Sequence, residues 1–166
     1  MGMAMRKALW VLIGLFLSAC ALANADPVVL TVSGKIGRFT DAKRGVYQFR
    51  DSDLARMRQV SFTTTTSWTP SVTFSGPLVR DILARVDAKG ATVRVLAINY
   101  YRYDISVAEL VRGKVVLARR IDNKPFDVAH YGPLWLMYPL SDMSDADKGP
   151  PLDAKLVWQV EAMEVM

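Results

Sequence analysis

Two short stretches of the sequence concentrate side chains that could bind a ligand. The first, SFTTTTSWTP at residues 61–70, places four threonines in a row ahead of a tryptophan. Threonine has a hydroxyl without charge, so threonines 63–66 can form hydrogen bonds but are poor nucleophiles unless another group activates them. Trp68 adds a flat face on which a ring can stack. The alternative is a β-branched strand end beside a core tryptophan.

The second stretch, NYYRYD at residues 99–104, is the densest group of polar and aromatic side chains in the chain. Alternate residues of a strand face opposite sides, so Tyr101 and Tyr103 share one face while Arg102 and Asp104 share the other. Aromatic faces beside an arginine suit a flat heterocycle that carries a phosphate. The alternative is a cross-strand ladder with a surface ion pair.

The sequence excludes the usual zinc and serine-hydrolase sites. His130 is the only histidine and Cys20 the only cysteine, which is too few for a zinc site of cysteine and histidine ligands. No G-x-S-x-G motif is present to hold a nucleophilic serine. Arg119 lies in a basic group with Arg120 and Lys124, which could hold a phosphate or form a solvated sheet edge.

Residues 1–25 have the pattern of a signal peptide. Positive residues 6–7 precede an apolar stretch at 8–19, and ANA at 23–25 gives an A-x-A cleavage site. The apolar stretch is too short to span a bilayer comfortably. The sequence therefore predicts export to the periplasm and a soluble mature domain over residues 26–166.

A lipoprotein is the less favoured alternative. LSAC at residues 17–20 resembles a lipobox, in which Cys20 would be lipidated and become the new N-terminus. A strand is predicted to begin at Val28, which leaves almost no tether between a lipid and the domain.

The charge balance argues against a nucleic-acid partner. The formal net charge of the chain is +5, and removal of residues 1–25 leaves 19 basic and 16 acidic residues, a net charge of +3. Proteins that bind nucleic acid cluster positive charge far more heavily. Processing also removes or caps the single cysteine, so the mature protein is expected to have neither a disulfide nor a thiolate.

Apolar runs bounded by turn residues predict a single, mostly-β domain of the α+β class with a few short helices. The strands do not alternate regularly with helices, and a doubly wound parallel sheet would need longer crossover helices. The predicted strands cover residues 28–34, 45–50, 59–65, 91–98, 114–121, 132–139 and 155–165.

Three short helices are predicted between these strands. Ser52 is the expected N-cap of the first. The second covers residues 75–86, with Pro77 at its first helical position. Ser106 and Glu109 match a capping box at the start of the third.

Four segments, in this order, resemble the sulfite-oxidase-like molybdopterin-binding domain family. FSGPLVRDILARV looks like the family's helix-opening pattern, and VLAINYYRYDISVAEL is similar to its strand and D-x-Y turn. The segment VVLARRIDNKPFDVAHYGPLWLMYP resembles the part of the family that contains the motif G-x-P-L-R and ends at a proline. The segment KLVWQVEAMEV is similar to the family's closing strand. The resemblance covers roughly residues 58–165 and implies the fold of that family.

The chain departs from the family at the positions that carry its chemistry. The family's metal-binding cysteine falls in the region of residues 61–70, where this chain has threonines. Asn99 replaces an acidic residue, with Tyr101 in the tyrosine position, and Trp135 replaces an arginine. Ser106 stands where the family has a proline. A neutral threonine hydroxyl is a poor substitute for a soft thiolate, so no metal is expected to be held by the protein's own ligands.

The resemblance implies molybdopterin or another pterin-like ligand as the cofactor. It also implies a place near that cofactor for His130, for which an ordinary turn histidine is the alternative. No catalytic residue is assigned. The candidate cofactor-binding residues are Thr64, Thr65, Trp68, Asn99, Tyr101, Tyr103, Arg119 and His130.

Three functions of different classes follow from these observations. The favoured hypothesis is an exported binding or accessory module that holds a small ligand for a membrane-bound signalling or redox protein. The alternative is a molybdopterin-dependent periplasmic oxidoreductase in which pterin sulfurs alone hold the metal. The third is a protein–protein adaptor that uses exposed aromatic side chains. Fold resemblance alone does not decide between them.

Overall fold

Strands make up most of the regular structure in the computed structural model, which describes residues 26–166. The predicted mostly-β α+β class, in a single domain, is confirmed. The predicted signal peptide and Cys20 lie outside the described residues. The strands are β1 Val28–Gly34, β2 Tyr47–Arg50, β3 Gln59–Thr64, β4 Val72–Pro77, β5 Thr92–Ala97, β6 Arg102–Ser106, β7 Val116–Ala118, β8 Arg120–Ile121, β9 Lys124–Pro125, β10 Trp135–Met137 and β11 Val160–Val165.

The helices are short, with four to seven residues each. Between residues 26 and 166, none has the length and apolar character needed to cross a membrane. The α-helices are α1 Asp51–Arg56, α2 Val79–Arg85, α3 Val107–Arg112 and α4 Pro150–Asp153, and the 3-10 turns are Val128–His130, Leu140–Asp142 and Asp145–Asp147.

The strands form three sheets. The largest has the order β2-β1-β11-β5-β6, in which β1 and β11 run parallel and the other neighbours antiparallel. The second sheet has the order β3-β4-β8-β9, and the third pairs β7 with β10. The last strand of the chain therefore lies in the middle of the largest sheet, next to the first.

The two smaller sheets meet where β4 runs beside β7. The Arg119 N–H donates to the Ser75 carbonyl at 2.9 Å, and Leu78 forms an isolated bridge with Val116. Gly76 lies between these contacts, and a β-carbon on it would be 2.0 Å from the Leu117 carbonyl oxygen. Only a residue without a side chain allows the two backbones to approach so closely.

Trp135 on β10 is the largest fully buried side chain. Its indole N–H donates to the Leu156 carbonyl at 3.0 Å, which satisfies the one polar group of the ring. The ring also packs edge-on against Phe74 of β4, with centroids 5.4 Å apart. One side chain thus connects two of the sheets to the segment that leads into β11.

The predicted strands are found, with ends that differ by a few residues. The strand predicted over 28–34 matches β1. The strand predicted over 114–121 is divided into β7 and β8. The strand predicted over 155–165 begins only at Val160, because Gln159 has a φ of 54° and interrupts the extended backbone.

Two helix starts were predicted wrongly. Pro77 is the last residue of β4, where it pairs with Gln59, and α2 begins at Val79 after an extended Leu78. Ser52 lies inside α1 and is not its N-cap; its hydroxyl donates to the Asp26 carboxylate at 2.7 Å.

The start of α3 agrees with the prediction in part. The Ser106 hydroxyl accepts from the Glu109 N–H, as a capping box requires. The Glu109 carboxylate, however, binds the Tyr138 hydroxyl and the Lys155 ammonium group.

We expect Gly76→Ala to lower the free energy of unfolding by about 3 kcal/mol, because the new methyl group collides with backbone that cannot rotate away. Gly113→Ala is the control. Its β-carbon would meet the Val115 side chain at 3.1 Å, and Gly113 ends α3 with a φ of −77°, which alanine also adopts. This control should lose less than about 1 kcal/mol. Urea denaturation of both variants measures the difference, and equal losses would contradict the close approach of β4 and β7.

Candidate functional site

An apolar cavity of about 270 Å³ lies beside the turn between β5 and β6. Three aromatic side chains line it, those of Trp68, Tyr101 and Trp158. We call it the aromatic cavity. The other lining residues are Ala97, Asn99, Asp153, Ala154, Leu156 and Val157.

The threonine-rich loop after β3 holds Trp68 in place. The Thr66 hydroxyl accepts from the backbone N–H groups of Trp68 at 3.1 Å and of Thr69 at 2.9 Å. It also lies 2.9 Å from the Thr69 hydroxyl. These side chain–backbone bonds fix a tight turn in a segment without a strand partner. The turn leaves Trp68 partly exposed at the cavity.

Trp158 lines the aromatic cavity next to Trp68. Its ring lies edge-on to Trp68, with centroids 4.7 Å apart and an interplanar angle of 76°. It also lies edge-on to the buried Trp135, at 6.1 Å. The isolated bridge between Trp135 and Trp158 sets the position of this segment before the backbone turns at Gln159.

The turn between β5 and β6 brings Asn99 and Tyr101 to the cavity. The Asn99 side-chain oxygen accepts from the Tyr101 N–H at 3.0 Å, and Tyr100 between them has a φ of 67°. The Tyr101 hydroxyl donates to the Ala154 carbonyl at 2.9 Å. Partial burial raises the pKa of Tyr101, and the neighbouring Tyr103 raises it further. Tyr101 is therefore a protonated donor that joins the turn to the segment after α4.

Asp153, at the end of α4, is the only charged residue among those that line the aromatic cavity in the described part of the chain. One of its carboxylate oxygens accepts from the Ser67 hydroxyl at 2.8 Å. This bond joins the threonine-rich loop to α4. Asp153 also lines the neighbouring cavity, so the two cavities adjoin at this side chain.

The neighbouring cavity, of about 500 Å³, is open, and most of its lining residues have polar side chains, Thr64 and Thr65 among them. The hydroxyl of the buried Thr64 accepts from the Ser141 N–H at 3.1 Å, so it holds the turn after β10. Lys148 is the basic residue that lines this cavity, and its ammonium group already pairs with Asp145 at 3.0 Å. Thr64 and Thr66 thus position the surrounding loops.

The other three candidate residues do not line the aromatic cavity. Tyr103 packs against the core from β6. Arg119 is buried, donates to the Asp51 carboxylate at 2.6 Å and has an unpartnered Nε. His130 is exposed in a 3-10 turn, with Nδ1 2.9 Å from the Asp127 carboxylate. The hydrogen bond from His130 lowers the pKa of Asp127.

Residues 99–104 are divided between the aromatic cavity and a cross-strand ion pair. Asn99 and Tyr101 line the aromatic cavity. Asp104 instead forms a cross-strand ion pair with Arg94, with contacts of 2.8 and 2.9 Å. The hydrogen bond from Arg94 lowers the pKa of Asp104. Arg102 is two residues before Asp104 on β6, so it lies on the face of the ion pair and away from Tyr101.

A second polar cluster joins α3 to the chain after α4, beside an open cavity. The buried Tyr138 donates to the Glu109 carboxylate at 2.8 Å. The Lys155 ammonium group contacts both oxygens of that carboxylate, at 2.8 and 3.0 Å. Burial raises the pKa of Tyr138, and the hydrogen bond to Glu109 and its negative charge add to the effect.

Sequence reasoning missed the second tryptophan and the carboxylate of the aromatic cavity. Trp158 was placed inside a continuous strand, where alternation assigns it no special role. Asp153 lies outside every predicted strand and helix, in a segment without a motif. Two features of the sequence point to this segment. Trp158 is one of four tryptophans in the chain, and Pro150 marks the start of the short helix α4 that precedes it.

No protein-family model matches the chain, and no curated protein matches it in sequence. Its fold is similar to that of the sulfane dehydrogenase SoxCD from Paracoccus pantotrophus, with a TM-score of 0.61 and 13% sequence identity. The match covers 82% of this chain but only 37% of that one. The relationship is one of fold. It supports the fold that the sequence resemblance implied and leaves function to the site.

The described residues offer no side chains suited to bind molybdenum directly. Residues 26–166 contain no cysteine, and they hold no group of three histidine, cysteine or acidic side chains that could bind a metal ion. A phosphate also needs basic partners. The aromatic cavity has the carboxylate of Asp153 instead, and the ammonium group of Lys148 nearby is paired. The cavity suits a flat organic ring.

We expect the stability of the protein to fall in alkaline solution through Tyr138. Its pKa is raised in the folded state, so above about pH 10 the unfolded chain loses this proton while the folded chain keeps it. The free energy of unfolding should then decrease by up to about 1.4 kcal/mol per pH unit more in the wild type than in Tyr138→Phe. Denaturation from neutral pH to pH ~11 tests this, and parallel curves would contradict it.

Proposed function

We propose that residues 26–166 form a small-ligand-binding or accessory module that works in the periplasm and transfers no electrons itself. The ligand binds in the aromatic cavity, against the side chains of Trp68, Tyr101 and Trp158 that line it. A membrane-bound signalling or redox protein is the proposed partner of the loaded module.

The observation that carries this proposal is the way three separate segments converge on the aromatic cavity. Trp68 comes from the loop after β3, Tyr101 from the β5–β6 turn and Trp158 from the segment before β11. Hydrogen bonds from Ser67 to Asp153 and from Tyr101 to Ala154 hold these segments together. Rings that are fixed in this way can accept a flat molecule beside them with little rearrangement.

A redox role for the chain alone has less support. The threonines that occupy the region of the family's metal-binding cysteine bond to Ser141 and to their own loop. The fold relationship to SoxCD, at 13% identity, carries no chemistry to this chain. The molybdopterin-dependent alternative predicts that native protein contains molybdenum, which elemental analysis would detect.

We expect quinoline, a flat two-ring probe, to bind the wild-type protein in equilibrium dialysis at mildly alkaline pH. Trp68→Ala and Tyr101→Ala should each weaken this binding about tenfold, because each removes an aromatic wall, an effect of about 1.4 kcal/mol. Tyr100→Ala is the matched control, since Tyr100 lies on the same turn, is 90% exposed and does not line the cavity. Absence of binding, or equal losses in all three variants, would contradict the proposal.

Export is supported by the contacts of Asp26, the first residue after the predicted cleavage site. Its carboxylate accepts from the Ser52 N–H at 3.0 Å and from the Ser52 hydroxyl, and its carbonyl accepts from Arg50. A chain that begins at Asp26 would therefore begin within the folded domain. A lipid on Cys20 would have only residues 21–25 as its tether.

Intact mass of the native protein tests the proposed export. We expect a mature N-terminus at Asp26, because the A-x-A site directly precedes it. A diacylated Cys20 would show a lipoprotein, and an uncleaved chain would show that the leader is not removed.

A further inference from the structure

We infer that the ligand of the aromatic cavity is a small organic cation, with its positive charge on a ring nitrogen or an alkylated ammonium group. This inference rests on the proposed function, because it names the charge of the ligand that the same cavity binds. It differs from the pterin-like, phosphate-bearing ligand that the sequence resemblance implied.

The first support is the arrangement of the aromatic walls. Trp68 and Trp158 lie edge to face, with centroids 4.7 Å apart, so the cavity is bounded by rings in two orientations. Tyr101 adds a third ring, which its hydrogen bond to the Ala154 carbonyl holds in place. The face of an aromatic ring attracts a cation within about 6 Å of its centroid, and tryptophan is the strongest of the three aromatic residues. Several rings around one space form a site that suits a cation with few hydrogen-bond donors.

The second support is the charge of the cavity. Asp153 supplies a carboxylate, and no lysine, arginine or histidine lines the aromatic cavity in the described part of the chain. Within residues 26–166, none of the ion pairs includes Asp153. Its one side-chain hydrogen bond comes from the neutral Ser67 hydroxyl. Asp153 thus has no ion-pair partner among the described residues, although the chain as a whole is basic and Lys148 lines the neighbouring cavity with it.

The third support is the size of the space. About 270 Å³ is near the lower end of ligand cavities, which are commonly about 300–1,000 Å³. A cavity of about 150 Å³ already accepts benzene. The aromatic cavity thus accommodates one or two fused rings, or an alkylated ammonium group with a short chain.

The test compares N-methylquinolinium, which carries a permanent positive charge, with neutral quinoline in equilibrium dialysis. We expect the cation to bind the wild-type protein about tenfold more tightly. Asp153→Asn keeps the side-chain shape and should remove most of this preference, while quinoline binding changes less than about twofold. Asp81→Asn is the matched control, because Asp81 lies on α2 and does not line the cavity. It should keep the full preference.

Salt gives a second measurement that does not depend on the folding of a variant. Added sodium chloride should weaken the binding of N-methylquinolinium to the wild-type protein and leave quinoline binding unchanged, because screening acts only on the charged probe. Quinoline binding as tight as that of the cation, with Trp68→Ala still weakening it, would overturn the cation inference and leave the proposed function standing. Binding of neither probe would overturn both.

Discussion

The structure depends on the buried indole of Trp135. Its ring packs against Phe74 of the second sheet, and its N–H is bonded to the carbonyl of Leu156. The same ring touches Trp158, so the core and the aromatic cavity share one continuous aromatic cluster. The sequence resemblance implies an arginine at this position, whereas Trp135 is part of the core.

The loops around the aromatic cavity are held by hydrogen bonds of their own side chains. Threonine hydroxyls of the loop after β3 bond to neighbouring backbone and side chains, and Trp68 of that loop lines the aromatic cavity. The single carboxylate at α4 then decides the charge of the cavity. The fold is similar to that of the sulfane dehydrogenase SoxCD, but a shared fold does not carry function, which follows the side chains at the site.

Local sequence patterns predicted which strands and helices form more accurately than they predicted where these elements begin and end. The alternation of apolar residues predicted β1, and the pairing of serine with a backbone N–H predicted the start of α3. Pro77 was misplaced because proline suits both the first turn of a helix and a strand end whose N–H needs no partner. Here the pairing of β3 with β4 extends as far as Pro77 and decides the choice.

The sequence by itself determined the strand-rich class of the protein, because the alternation of side chains along a strand is a local property. It also singled out Trp68, Asn99 and Tyr101, whose types and grouping are visible without a structure. Only the tertiary structure showed that Trp158 and Asp153 complete the cavity and that Arg119 and His130 lie elsewhere. The bond between Ser67 and Asp153 joins residues 86 positions apart, and no periodicity in a sequence reports a contact of that range.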